Sequence, residues 1–145
     1  MAMTKLALIC AIGGCLFAVV ATAADGGPYL IETRSQVEAV FQDKDNKAAF
    51  QKKWARKPAR VVGEFVRGKG ADWFGYYNAT ILVDEKNKGG SDRSIKIICA
   101  VHKSDKETRT RLEHFQGGTP ITLVGEIGYI DYHQRLNLYD CKFPD

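Results

Sequence analysis

A chain of 145 residues has room for one domain of ordinary size and little else. It carries 21 Lys and Arg against 17 Asp and Glu, a formal net charge of +4. That balance is mild and far from the dense basic stripe of a dedicated nucleic-acid binder, and no repeat or low-complexity tract interrupts the chain.

The first segment reads as a leader. Lys5 supplies a short positive start, residues 6–20 are apolar, and Ala21-Thr22-Ala23 offers the small-x-small pattern that signal peptidase prefers. Cleavage before Ala24 or Asp25 leaves a domain-sized remainder with one lysine fewer, so the net charge becomes +3. The apolar run is only about as long as the shortest spanning helices, and Gly13-Gly14 weakens it. The reading is therefore a cleaved signal peptide over residues 1–23, a periplasmic or secreted product, and no membrane anchoring after cleavage. Ile12-Gly13-Gly14-Cys15 loosely resembles a lipobox, but the apolar run continues past Cys15, so Cys10 and Cys15 read as apolar members of the leader. Two cysteines remain, Cys99 and Cys141. In an oxidising compartment an isolated pair predicts a disulfide. Without histidines at ligand spacing it predicts no metal site.

A linker is expected over residues 24–34 and a helical segment over residues 35–58. Ser35-Gln36-Val37-Glu38 has the capping-box pattern, followed by Val37, Val40 and Phe41 at helical spacing. A second short helix is expected from near Asp45, with Phe50 and Trp54 sharing the face that covers one end of the domain, and Pro58 stops it. From Ala59 the period becomes two. Strands are predicted over residues 60–67, 73–84 and 94–101, with Val61, Gly63 and Phe65, then Tyr77, Ala79, Ile81 and Val83, then Ile95, Ile97, Cys99 and Val101 each on one face. Gly68-Lys69-Gly70 reads as the first turn and residues 84–93 as the second loop. Ser104-Asp105-Lys106-Glu107 is another capping box, opening a helix through Leu112 and Phe115 that Gly117-Gly118 ends. Strands over 121–129, with Ile121, Leu123, Gly125 and Ile127 inward, and over 136–143 complete the order: three strands, a helix, two strands. On so short a chain that order predicts a five-stranded OB-fold barrel over residues 59–145, all-β with accessory helices. An open α+β sheet is the rival; closure removes edge strands, and Gly63, Gly75 and Gly125 suit strand bends.

Residues 117–127, Gly-Gly-Thr-Pro-Ile-Thr-Leu-Val-Gly-Glu-Ile, resemble the fourth-strand motif of bacterial exported OB-fold proteins of the tRNA-anti-like family. Ala59-Arg60-Val61-Val62-Gly63-Glu64 is similar to that family's opening strand, and Cys99 and Leu138-Tyr139-Asp140-Cys141 to its paired cysteine positions. The resemblance implies the OB fold behind an export signal and no agreed activity. In such a barrel the third and fifth strands are neighbours, which puts Cys99 and Cys141 within reach of each other. A bridge there would close about 40 residues, worth roughly 3–4 kcal/mol in the chain-entropy model.

OB barrels bind ligands on the face of strands two and three, between the one-two and four-five loops. The residues expected there are Lys69, Trp73, Tyr76, Asn78, Lys96, Tyr132 and Arg135, with Tyr129, Asp131 and His133 in the four-five hairpin. Tyr77 and Phe74 are expected to pack instead. The basic run Lys52, Lys53, Arg56, Lys57 and Arg60 reads first as a solvated face, with attraction to an anionic polymer or membrane surface as the alternative. His102, His114 and His133 are scattered and no nucleophile elbow or phosphate loop is present, so no catalytic residue, enzyme activity or cofactor is expected. Asp131 beside His133 reads as turn chemistry. The expected function is an exported binding module for a protein or envelope glycan, with single-stranded nucleic acid as the alternative partner.

Overall fold

The structure, a computed structural model, describes residues 27–70, 72, 74–83 and 95–145. The leader with Cys10 and Cys15, Trp73, and the second loop lie outside the described residues. Nine elements follow in order: β1 (Tyr29–Ile31), α1 (Arg34–Phe41), α2 (Lys47–Lys53), β2 (Pro58–Lys69), β3 (Tyr77–Val83), β4 (Ile95–Val101), α3 (Lys106–Glu113), β5 (Pro120–Ile130) and β6 (Leu136–Lys142). β2, β3, β4, β6 and β5 form one sheet in that order, and a second pairing of β2 with β5 closes it into a five-stranded barrel. All pairings are antiparallel except β4 with β6 and the added β1 with β2. This is the predicted OB-like barrel with accessory helices.

Closure depends on one long strand serving two partners. Residues 58–64 of β2 pair with β5, and residues 64–69 pair with β3. Gly63 sits at the handover, and a Cβ there would meet the Leu82 carbonyl oxygen at 2.4 Å and Ile81 at 2.9 Å. Only glycine lets the two backbones approach that closely. Inside, the alternating apolar residues make one core. Val61, Phe65, Ile81, Ile97, Leu123, Ile127, Leu136 and Leu138 are all buried, joined by Phe50 and Trp54 from the N-terminal segment and Leu112 from α3. The inward faces predicted for all four assigned strands hold, with Gly63, Gly125 and Ile95 only partly buried.

The helix starts differ from the predicted ones. α1 is capped by Thr33 rather than Ser35, with the Thr33 N–H donating to Gln36 Oε1 at 2.9 Å. α2 starts after Asn46, whose side chain accepts from the Ala49 N–H. α3 is capped by Asp105 rather than Ser104, through the Thr108 N–H at 3.0 Å. Neighbouring cap-capable residues leave a sequence pattern undecided; the hydrogen bonds decide it, through the Gln36 side chain at α1 and the Asp105 side chain at α3. α3 also stops at Glu113, before Gly117-Gly118, and Gly118 (φ 87°) serves the turn into β5 instead. Tyr29–Ile31, within the stretch expected as linker, pairs in parallel with Ala59–Val61.

Three β-bulges set which side chains face outward. Phe65 pairs with Ile81 and Arg67 with Thr80, leaving Val66 as an extra residue. Ile127 pairs with Leu138 and Tyr129 with Asn137, leaving Gly128 extra. Val124 pairs with Lys142 and Glu126 with Tyr139, so Gly125 alone opposes Asp140 and Cys141, with Asp140 at φ 51°. Each extra residue inverts the alternation beyond it. Without the first two, Arg67 and Tyr129 would point into the core. Without the third, Asp140 would, and Cys141 would point out.

Candidate functional site

The outer face of β3 and β4, extended by β6, carries a groove with two lobes. One, of 560 Å³, lies between the β2–β3 and β5–β6 loops, above Thr80 and Ile98, and is flanked by Arg67, Lys69 and Arg135. The other, of 470 Å³, has Ala100 and Leu138 beneath it, Tyr76, Tyr139 and Phe74 around it, and Arg56 at its end. Asp72, Asn78, Tyr129 and Asn137 line both, so the two are one continuous channel.

The bulges explain its cations and one of its rings. Beyond Val66, Arg67 and Lys69 turn outward beside Thr80 and Asn78, while Gly68 turns inward opposite Ala79. Gly68 and Lys69 therefore belong to the strand, not to the turn predicted for them. Beyond Gly128, Tyr129 emerges 46% exposed. Its ring lies 5.9 Å from Tyr139, which is 6.5 Å from Tyr76. Tyr76 in turn meets the edge of His102 at 5.4 Å. Phe74 and Tyr132 stand at the loop tips, 80% and 86% exposed. Phe74 thus corrects the expectation that it packs: Gly75, at φ 83°, reverses the chain after it and leaves its ring in solvent. Tyr77 is buried as expected.

Both acids of the groove are occupied by their own loops. Asp72 Oδ1 accepts from the Phe74 and Tyr76 N–H groups, and Oδ2 from Asn78 Nδ2 at 3.2 Å. Asp131 Oδ1 accepts from the His133 and Arg135 N–H groups, and Oδ2 from Arg135 Nε at 2.8 Å and Asn137 Nδ2 at 3.4 Å. Burial works to raise both carboxyls, but these donors outweigh it and hold each below the ordinary carboxylate range. The carboxylates shape the loops, and Asp131 serves the turn as its spacing from His133 suggested. Arg67 and Lys69 form no ion pair among the described residues, so their charge is open to a ligand.

Of the predicted site residues, Lys69, Asn78, Tyr132 and Arg135 line the first lobe, and Tyr76 with Asn78 the second. Lys96 is exposed but lies in a separate hollow with Phe41, Ile95 and Gln134 on the far side of the β5–β6 loop. Trp73 lies outside the described residues. Sequence reasoning missed Arg67 and Asn137 altogether, and it did not place Arg56 or Tyr139 at a site. Strict alternation hides the first behind a bulge.

Cys99 and Cys141 do meet, 2.7 Å apart, inside the barrel. They are two free, fully buried thiols and not the predicted disulfide. Burial, with the neighbouring Cys99 adding to it, pushes the Cys141 thiol up. Among the described residues no cluster of His, Cys, Asp and Glu is arranged to hold a metal. His102 bonds Ser104, and His114 bonds the Thr110 carbonyl.

No family model matches the chain, and no curated protein matches it. Among solved structures it is similar to a protein of Klebsiella pneumoniae named a putative nucleic acid-binding lipoprotein. The two share 18% identity over 81% of this chain and 92% of that one, with a TM-score of 0.55. What they share is the fold.

Proposed function

We propose that this chain is an exported binding module for single-stranded nucleic acid, held in the groove across β3, β4 and β6, with no catalytic step. The observation that carries the reading is the joining of open cations to accessible rings in one channel. Arg67 and Lys69 flank one lobe, opposite the Arg135 that Asp131 holds, and Tyr129, Phe74 and Tyr132 offer rings beside it. A single strand needs both: cations follow its phosphates, and aromatic faces stack on bases whatever their sequence. Of the groove's carboxylates, Asp131 is paired with Arg135, and Asp72 is held by its own loop's N–H groups and the Asn78 amide.

The Klebsiella protein of similar fold is named for nucleic-acid binding and as a lipoprotein, which supports the partner class and the export reading together. The leader pattern of residues 1–23 and the motif resemblance to the tRNA-anti-like family support export independently. A protein or envelope glycan, the partner favoured by the sequence, has no observation of its own here.

The test is fluorescence anisotropy of the leaderless chain with a labelled single-stranded oligonucleotide at increasing salt. With the two open cations, Arg67 and Lys69, on phosphates, log affinity should fall with log salt at a slope of about −1.4. Binding absent even at low salt overturns the proposal, and binding to envelope glycan in that case restores the earlier partner.

A further inference from the structure

Asn78 and Asn137 stand where the two lobes meet, and both line both lobes. Their amide groups are oriented by fixed partners. Asn78 Nδ2 donates to Asp72 Oδ2. Asn137 Nδ2 donates to Asp131 Oδ2 and, at 3.1 Å, to the Arg135 carbonyl oxygen. A carboxylate and a carbonyl accept only, so in each amide the nitrogen must face its anchor and the oxygen must face away. Asn137 is only 7% exposed, yet among the described residues no buried side-chain atom lacks a partner, so its Oδ1 reaches solvent through the groove. The loops that hold Asp72 and Asp131 thereby present two carbonyl oxygens between the aromatic lobe and the cationic lobe.

Resting on the nucleic-acid reading above, we infer that Asn78 and Asn137 make the groove selective for bases that carry an amino group. A base stacked in the aromatic lobe, with its phosphate toward Arg67 and Lys69, turns its polar edge to these two oxygens. Cytosine N4, adenine N6 and guanine N2 each carry two N–H donors, one for each oxygen, whereas thymine offers a single N–H, at N3, flanked by the O2 and O4 carbonyls, acceptors that meet an acceptor. Phosphate offers no donor, so the two carbonyls add nothing to backbone affinity. They read the base.

The comparison that isolates this is oligo-dC against oligo-dT of about 12 nucleotides, within the site sizes of such barrels, in anisotropy titrations at one low salt concentration. The two pyrimidines differ in their polar edge, cytosine carrying the N4 amino group beside an N3 acceptor and thymine an N3–H beside O4, and in the thymine methyl group. The wild-type chain should bind oligo-dC more tightly by about tenfold, the scale of one good base contact. Asn78→Ala should bring the ratio toward one by lowering oligo-dC affinity more than oligo-dT affinity; Asn137→Ala should do the same, its folding checked by circular dichroism. Equal affinities in the wild type, or a ratio that survives Asn78→Ala, overturn the inference and leave the single-strand reading standing. No binding to either oligonucleotide overturns both.

Discussion

Asp131 organises the β5–β6 jaw of the groove, and its removal is the most informative single perturbation. Asp131→Ala deletes four acceptor contacts: the His133 and Arg135 N–H groups at 2.9 and 3.0 Å, Arg135 Nε at 2.8 Å and Asn137 Nδ2 at 3.4 Å. The two backbone bonds contribute about 0.5–1.5 kcal/mol each, and the last contact, long and weak, adds little. The Asp131 side chain is 9% exposed and that of Arg135 35%, so the ion pair is partly screened and adds roughly 0.5–1 kcal/mol. The expected loss is about 2–3 kcal/mol, which at about 4 °C per kcal/mol lowers Tm by roughly 8–12 °C. Because the folded carboxyl titrates below its unfolded value, its contribution is whole above the unfolded pKa of about 3.9 and disappears as pH falls through the folded one. Urea melts of wild type and variant, run from neutral pH downward, should therefore converge in strong acid. A difference below about 0.5 kcal/mol at pH 7, the level of a neutral surface change, or a gap that persists unchanged into acid, refutes the reasoning.

Gly63→Ala drives a Cβ onto the Leu82 carbonyl where β2 changes partner and should cost about 1–3 kcal/mol in chemical melts. Gly70→Ala, with nothing within 4 Å, should stay near wild type. Tyr132→Ala and Phe74→Ala expose or bury almost nothing when the strand is absent, so Tm should hold. Each should nonetheless weaken single-strand binding by about tenfold, the lower range of one lost stack; loss of stability in place of affinity would make them packing residues. Arg67→Ala should flatten the salt slope by about 0.7, one phosphate contact on a single strand. In the reduced protein, alkylation of Cys99 and Cys141 should be slow until urea is added, because both are buried and the Cys141 thiol is pushed up.

Read in order, the residues alone determined a good deal. Alternation assigned the inward faces of four strands, the capping-capable residues before two helices placed them to within two positions, and the order of strands and helix led to the closed barrel. These are local consequences of a period near 3.6 or of two, and a hydrophobic core enforces them. Four residues of the groove were also expected on that side, Lys69, Asn78, Tyr132 and Arg135, because the barrel's topology brings β2, β3 and the β5–β6 hairpin together.

What only the tertiary structure decided lies beyond the three bulges. A bulge is one extra residue relative to a partner strand, so neither strand's sequence announces it. Val66 turns Arg67 onto the groove, Gly128 turns Tyr129 there, and the step at Asp140 turns Cys141 inward to Cys99. Asn137 was invisible for a related reason: its role depends on Asp131 and the Arg135 carbonyl holding its nitrogen, a matter of which atoms meet when β5 and β6 pair. Phase within a strand is written in the chain; where the phase breaks is fixed by the neighbour.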